Sequence, residues 1–196
     1  MDGMVRTAFA QRMAAVNGWL LTATSDLPDE PLTRWLAPDV PSVAWHLWHI
    51  ARWSDRVHAL LPLMIAGRHE SGSGERGLWE LESLASQWGF DRGGLGYAQT
   101  GMEMGDKGAS SLAFPSKDRL LDYARRAFAA AEAVLGAIED HQFAVCGPDL
   151  LYAGRLDRER TVCEVVVAHI SHASRHLGSI EGIRALLLHK PGSLTF

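Results

Sequence analysis

The chain has 196 residues, 47% of them hydrophobic, enough for one domain over residues 1–196 that buries roughly 70% of its unfolded surface. Its 19 Lys and Arg against 23 Asp and Glu leave a net charge of -4, which argues against a nucleic-acid partner because no basic excess faces the phosphates. Two cysteines cannot build a disulfide framework or a zinc ribbon, whereas nine histidines and seven tryptophans are unusual counts.

Near the start, Asp2, Arg6 and Arg12 stand where a secretory signal would need an apolar segment. The longest apolar run, ALLPLMIAG, is interrupted by Pro62 and falls short of the ~20 residues of a membrane span. A soluble, cytoplasmic protein without a membrane partner is expected, with Cys146 and Cys163 reduced. Val5, Phe9, Met13, Val16, Leu20 and Leu21 recur at helical spacing and predict a helix over residues 4–24, ended by Asp26, Pro28 and Pro31. One helical turn is expected in LTRWLAP, within the loop that runs to Pro41. Ser42 is placed to cap a second helix, VAWHLWHIARWSDRVHALL, reaching Pro62 or slightly beyond. A shorter helix is predicted over residues 76–87.

Residues 89–115 hold seven glycines and few large aliphatics, which predicts an irregular loop of the kind that is usually functional or mobile. Its GGLG and GMEMG pieces neither follow a strand nor lead into GK[ST], so they make a poor phosphate cradle. Ser116 and Asp118 open an Ala- and Leu-rich helix ending near His141. Residues 142–158 read as irregular, and a last helix is predicted over residues 159–189, stopped by Pro191 and Gly192. No stretch alternates as a strand would. Four main helices joined by long crossovers predict an all-α four-helix bundle.

Six of the nine histidines fall within residues 46–58 and 169–176. His172 and His176 are one turn apart and about 40° apart around the last helix, so two imidazoles can share one ion. His169 lies on the same face one turn earlier, and His46 and His49 share a face of the second helix. One histidine from that helix plus the His172/His176 pair would supply three neutral nitrogens and leave positions open for water or substrate. Ala173 follows His172, so the H-E-x-x-H metalloprotease arrangement is absent. Glu164 and Glu181 are candidates to orient an imidazole through its other ring nitrogen. Trp45, Trp48 and Trp53 read as core aromatics, with Trp53 also placed to wall an apolar pocket beside His49. Met102 and Met104 suit gap-filling or a lid. His58 is expected to pair with Asp55, and His69, His141 and His189 to be solvated.

Two segments, together with the order of four long helices across nearly the whole chain, carry a family resemblance. WHLWHIARWSD at residues 45–55 is similar to the W-x-L-x-H segment of the DinB-like superfamily, which includes the YfiT-type metal-dependent hydrolases. HASRHLGSIEGIR at residues 172–184 is similar to that family's H-x-x-x-H-[RL]-G-x-I signature. The resemblance implies a bundle of up-down-down-up order, frequently a homodimer, with zinc or nickel held by three histidines. Carried onto this chain, the ligands are His49, His172 and His176, the family's ligand being the second His of the H-x-x-H; His46 and His169 map onto no ligand position. The resemblance also implies a small-molecule substrate or a low-molecular-weight thiol such as mycothiol, bacillithiol or glutathione. Leu177 and Ser179 depart from the R-G-Q common in the family, so no role of that Arg or Gln carries over. The function implied is metal-dependent activation of a thiol or water for group transfer or hydrolysis. The alternative is a non-catalytic bundle that binds a metal or small molecule in an accessory or stress-related role.

Overall fold

The computed structural model describes residues 3–68, 76–152 and 158–188. In chain order the helices are α1 (Met4–Ser25), α2 (Asp29–Thr33), α3 (Val43–Ile65), α4 (Leu78–Leu81), α5 (Leu84–Gln87), α6 (Asp106–Ser110), α7 (Lys117–Ala137) and α8 (Val162–Leu188). A two-stranded antiparallel ribbon, β1 (Cys146–Pro148) and β2 (Glu159–Thr161), precedes α8. The four long helices form the predicted bundle: α1 and α3 each pack along α7 and α8, which places α1 and α3 across a diagonal. No helix among the described residues is long and apolar enough to cross a membrane.

Helical periodicity explains most of the packing. On α7, Leu120, Tyr123, Ala124, Ala127, Phe128, Ala131 and Leu135 form one buried stripe at i, i+3, i+4 and i+7 spacing. Each large aliphatic or aromatic side chain enclosed this way contributes roughly 1.5–3 kcal/mol. The α3 helix differs, because every residue from Ser42 to Asp55 is buried, polar ones included. His46, His49, Arg52, Ser54 and Asp55 must therefore each find partners inside the protein. Ser42 caps α3 as predicted, its hydroxyl accepting from the Trp45 backbone N–H at 3.2 Å. The helix then continues through Pro62 to Ile65.

Several boundaries differ from the sequence expectation. The turn expected in LTRWLAP forms three residues earlier, as α2. The helix predicted over residues 76–87 is broken into α4 and α5 by Ser83, which takes a left-handed φ of 53°. Trp79 and Leu84 are both buried, yet five residues along one straight helix would set them about 140° apart; the break turns both inward. The loop over residues 89–115 contains α6 and a 3₁₀ turn at Arg92–Gly94. The helix expected to end near His141 stops at Ala137, where Ile138 turns extended and is buried. Residues 159–161, expected in the last helix, pair as a strand with Cys146–Pro148.

Candidate metal centre

Three imidazoles from two packed helices converge. His49 comes from α3, and His172 and His176 come from successive turns of α8. Nε2 of His172 lies 3.2 Å from Nε2 of His49 and 3.1 Å from Nε2 of His176. One ligand atom from each of the three residues fits within 4.8 Å of the others. His49 is buried, while His172 and His176 are half-buried.

The backs of two rings are also occupied. Nδ1 of His49 lies 2.6 Å from the Thr100 carbonyl oxygen, which can only accept. His49 therefore carries its proton on Nδ1 and presents a bare Nε2 to the centre. Nδ1 of His176 lies 2.7 Å from Nδ1 of His46. A His176 that presents Nε2 to the centre donates its Nδ1–H to His46. Trp45 stacks on His49 with centroids 4.7 Å apart and planes 12° from parallel, fixing the ring from its flat side.

Electrostatics keep the donors neutral. Burial lowers the His49 imidazole to about 3, with His172 adding to the effect, and lowers His172 and His46 each to about 4. Burial also lowers His176, reinforced by the neighbouring His49, His46 and His172. Near pH 7 the cluster is a set of uncharged nitrogen donors. In the tautomer in which His176 donates its Nδ1–H to His46, one N–H of His172 lies between the lone pairs of His49 and His176. A divalent cation in place of that proton would satisfy all three nitrogens. Tetrahedral zinc, with Zn–N near 2.0–2.1 Å, needs donors about 3.3 Å apart. The two close contacts are near that value, so the residues fit the ion.

An aromatic wall stands beside His172. Trp53 lies 6.0 Å from the His172 ring and 6.3 Å from the His49 ring, and packs on Tyr152 at 4.9 Å. Tyr97 stacks on Tyr152 with rings 3° from parallel, and its hydroxyl donates to the Leu151 carbonyl at 3.1 Å. Arg56 lies over both Trp53 and Tyr97 and donates to the same carbonyl at 2.7 Å.

The remaining sequence candidates are placed as follows. His169 is buried with its Nε2 3.1 Å from the Ser54 hydroxyl and takes no part in the three-His group. Glu164, a candidate to orient an imidazole, is an exposed carboxylate at the helix start. Its carboxylate accepts from Thr161 N and Oγ1 at 2.7 and 2.9 Å, while Thr161 Oγ1 accepts from Glu164 N, forming a capping box at the start of α8. Glu181 is half-buried on α8, about 140° around the helix from His176. His58 faces Asp55 at 4.0 Å, and His141 is exposed beside Glu139. His69 and His189 lie outside the described residues. Met102 and Met104 pack against the core, with the Met102 carbonyl bonded to Tyr97 N.

Two participants escape a reading of side-chain types. Thr100 reaches His49 through its carbonyl, a contact that its side chain does not announce, while its hydroxyl serves the turn by donating to the Tyr97 carbonyl. Arg52 does carry a signal: it continues the Trp45, Trp48, His49 stripe at i+7 and is a charge in an otherwise core-facing run.

Comparison with known proteins agrees with this architecture. The DinB superfamily model matches residues 15–180. A conserved protein from Enterococcus faecalis, of known crystal structure, superimposes with a TM-score of 0.75 at 18% identity, covering 95% of this chain and 98% of that one. At that identity the likeness concerns the fold alone. No curated protein matches the sequence significantly. The family match spans most of the chain, helices and histidine cluster included, and the protein belongs to the DinB superfamily.

Proposed function

We propose that the protein is a divalent-metal-dependent enzyme whose ion is held by His49, His172 and His176. A zinc or nickel ion there would lower the pKa of a coordinated thiol or water and so supply a nucleophile near neutral pH. The chain's own residues prepare the site. His49 offers Nε2 because its Nδ1–H is held by the Thr100 carbonyl, and His176 offers Nε2 when it donates its Nδ1–H to His46. The half-buried Tyr152, packed on Trp53 beside His172, supplies aromatic surface suited to the body of a small organic molecule. The half-buried His172 and His176 mark the side from which a substrate or low-molecular-weight thiol reaches the centre.

The observation that carries this reading is the convergence of three neutral Nε2 atoms with two of the rings oriented from behind. The test is elemental analysis of purified protein together with Zn²⁺ and Ni²⁺ titration of the stripped form. About one equivalent is expected in the native protein, with uptake lost in His172→Ala. Less than a tenth of an equivalent, with uptake unchanged by His172→Ala, refutes the reading. Bound metal with an exchangeable non-protein ligand supports an enzyme, whereas a site closed by protein groups alone indicates a storage or accessory role.

A further inference from the structure

The most heavily bonded charge in the core lies one helical turn beyond His49. Arg52 is fully buried on α3. Its Nη1 donates to Asp55 at 2.9 Å and its Nη2 to Glu80 at 2.7 Å, and its guanidinium lies 4.9 Å from the Trp79 ring. Those contacts balance the charge. The fork also reaches a loop: Nε donates to the Gln99 carbonyl at 2.9 Å and Nη2 to the Ala98 carbonyl at 3.1 Å.

That loop is a tight turn closed by Thr100 N–H on the Tyr97 carbonyl at 3.0 Å. Both central residues have positive φ, 47° at Ala98 and 54° at Gln99, as in a type I′ turn. Such turns normally use Asn or Gly, because left-handed backbone crowds the Cβ of other L-residues. The turn is braced from within by the Thr100 hydroxyl, which donates to the Tyr97 carbonyl at 2.7 Å, and from α3 by Arg52, which bonds two of its carbonyls. The next carbonyl along the chain, that of Thr100, is the one that accepts from His49. Three consecutive carbonyls are thus held by two residues at i and i+3 of α3.

We propose that Arg52 is a positioning residue for the histidine centre: by holding the 97–100 turn, it places the Thr100 carbonyl so that His49 is fixed with its proton on Nδ1 and Nε2 free for a metal. The proposal rests on His49 being a ligand, and it assigns the tautomer and affinity of that ligand to a side chain that touches no ligand nitrogen. Removing a group that orients a metal-binding histidine typically weakens metal affinity 10- to 100-fold.

The test uses the full chain. In metal-free wild type at pH 7, ¹⁵N-labelled histidine NMR is expected to show His49 protonated on Nδ1; an Nε2–H form overturns the proposal. Arg52→Lys keeps a cation for Asp55 and Glu80 but cannot span both carbonyls. It is expected to give a mixed tautomer and a Zn²⁺ affinity at least about 10-fold weaker. Ala98→Val leaves the buried charges in place and disfavours the turn directly, so it is expected to shift both readouts the same way. It carries the test if Arg52→Lys fails to fold. Ala98→Asn, which favours the type I′ turn, is expected to recover affinity in the Arg52→Lys background. Folded Arg52→Lys or Ala98→Val protein with wild-type tautomer and affinity within twofold of wild type overturns the proposal. Wild type that takes up no metal refutes the function proposed above, and the tautomer then decides this inference alone: its loss in Arg52→Lys supports positioning, and its retention overturns it.

Discussion

Gly101 follows Thr100, whose carbonyl bonds His49, and its replacement by alanine has a cost that the structure sets. Its φ is +85°, and a Cβ added there would lie 2.8 Å from Cζ3 of Trp48 and 3.0 Å from Cζ2 of Trp45. The left-handed backbone costs an alanine roughly 1–2 kcal/mol. Forcing a methyl against two buried indoles costs about 1–3 kcal/mol more, since neither ring has space to retreat. Gly101→Ala should therefore lose about 2–5 kcal/mol, a large part of the ~5–15 kcal/mol that holds an ordinary domain together. Urea unfolding followed by tryptophan fluorescence measures it. Gly105→Ala is the control, because nothing lies within 4 Å of a Cβ at that site; a change within about 0.5 kcal/mol is expected. The variant should also bind metal more weakly, because Trp45 stacks on His49. A Gly101→Ala protein within about 0.5 kcal/mol of wild type would refute the reasoning.

Acid should destabilise the metal-free protein well above the carboxylate range. Burial holds folded His46 near 4 and His49 and His169 near 3, against 6.5 when unfolded. The folded form then binds fewer protons than the unfolded form between those values. Stability should be level above pH 6.5 and fall as pH drops toward 4, by up to ~1.4 kcal/mol per pH unit for each such histidine. Equal urea midpoints at pH 7 and pH 5 would contradict this. Asp55→Ala should cost about 3–5 kcal/mol in the same assay, because it removes one of the two carboxylates on the buried Arg52 and leaves the backbone N–H groups of Leu78 and Trp79 without their acceptor. A loss under about 1 kcal/mol would count against that role. Glu164→Ala should lower stability through its capping box yet leave Zn²⁺ uptake unchanged; weakened uptake would restore it to the centre.

The long helices were legible because apolar residues recur at helical spacing over long stretches, most cleanly on α7, although their ends shifted by several residues. Ser42 shows how local the information is: a hydroxyl three residues before the Trp45 N–H is enough to cap α3. The short elements were not legible. The break at Ser83 exists because Trp79 and Leu84 both need the core, and the β1/β2 ribbon depends on pairing across residues distant along the chain.

The sequence by itself determined the fold class and the histidine stripes, since helical spacing puts His172 and His176 on one face and His46 and His49 on another. It could not decide what each nitrogen does. Tertiary structure set His49 opposite His172, put His46 behind His176, sent His169 to Ser54 and Glu164 to a helix end. It also brought the Thr100 carbonyl to His49 and Arg52 to the turn that holds it. The physical reason is that periodicity fixes directions around one helix, whereas a hydrogen bond needs two groups at a set distance. Only the packing of α3 against α8, with the glycine-rich loop folded over α3, supplies that distance.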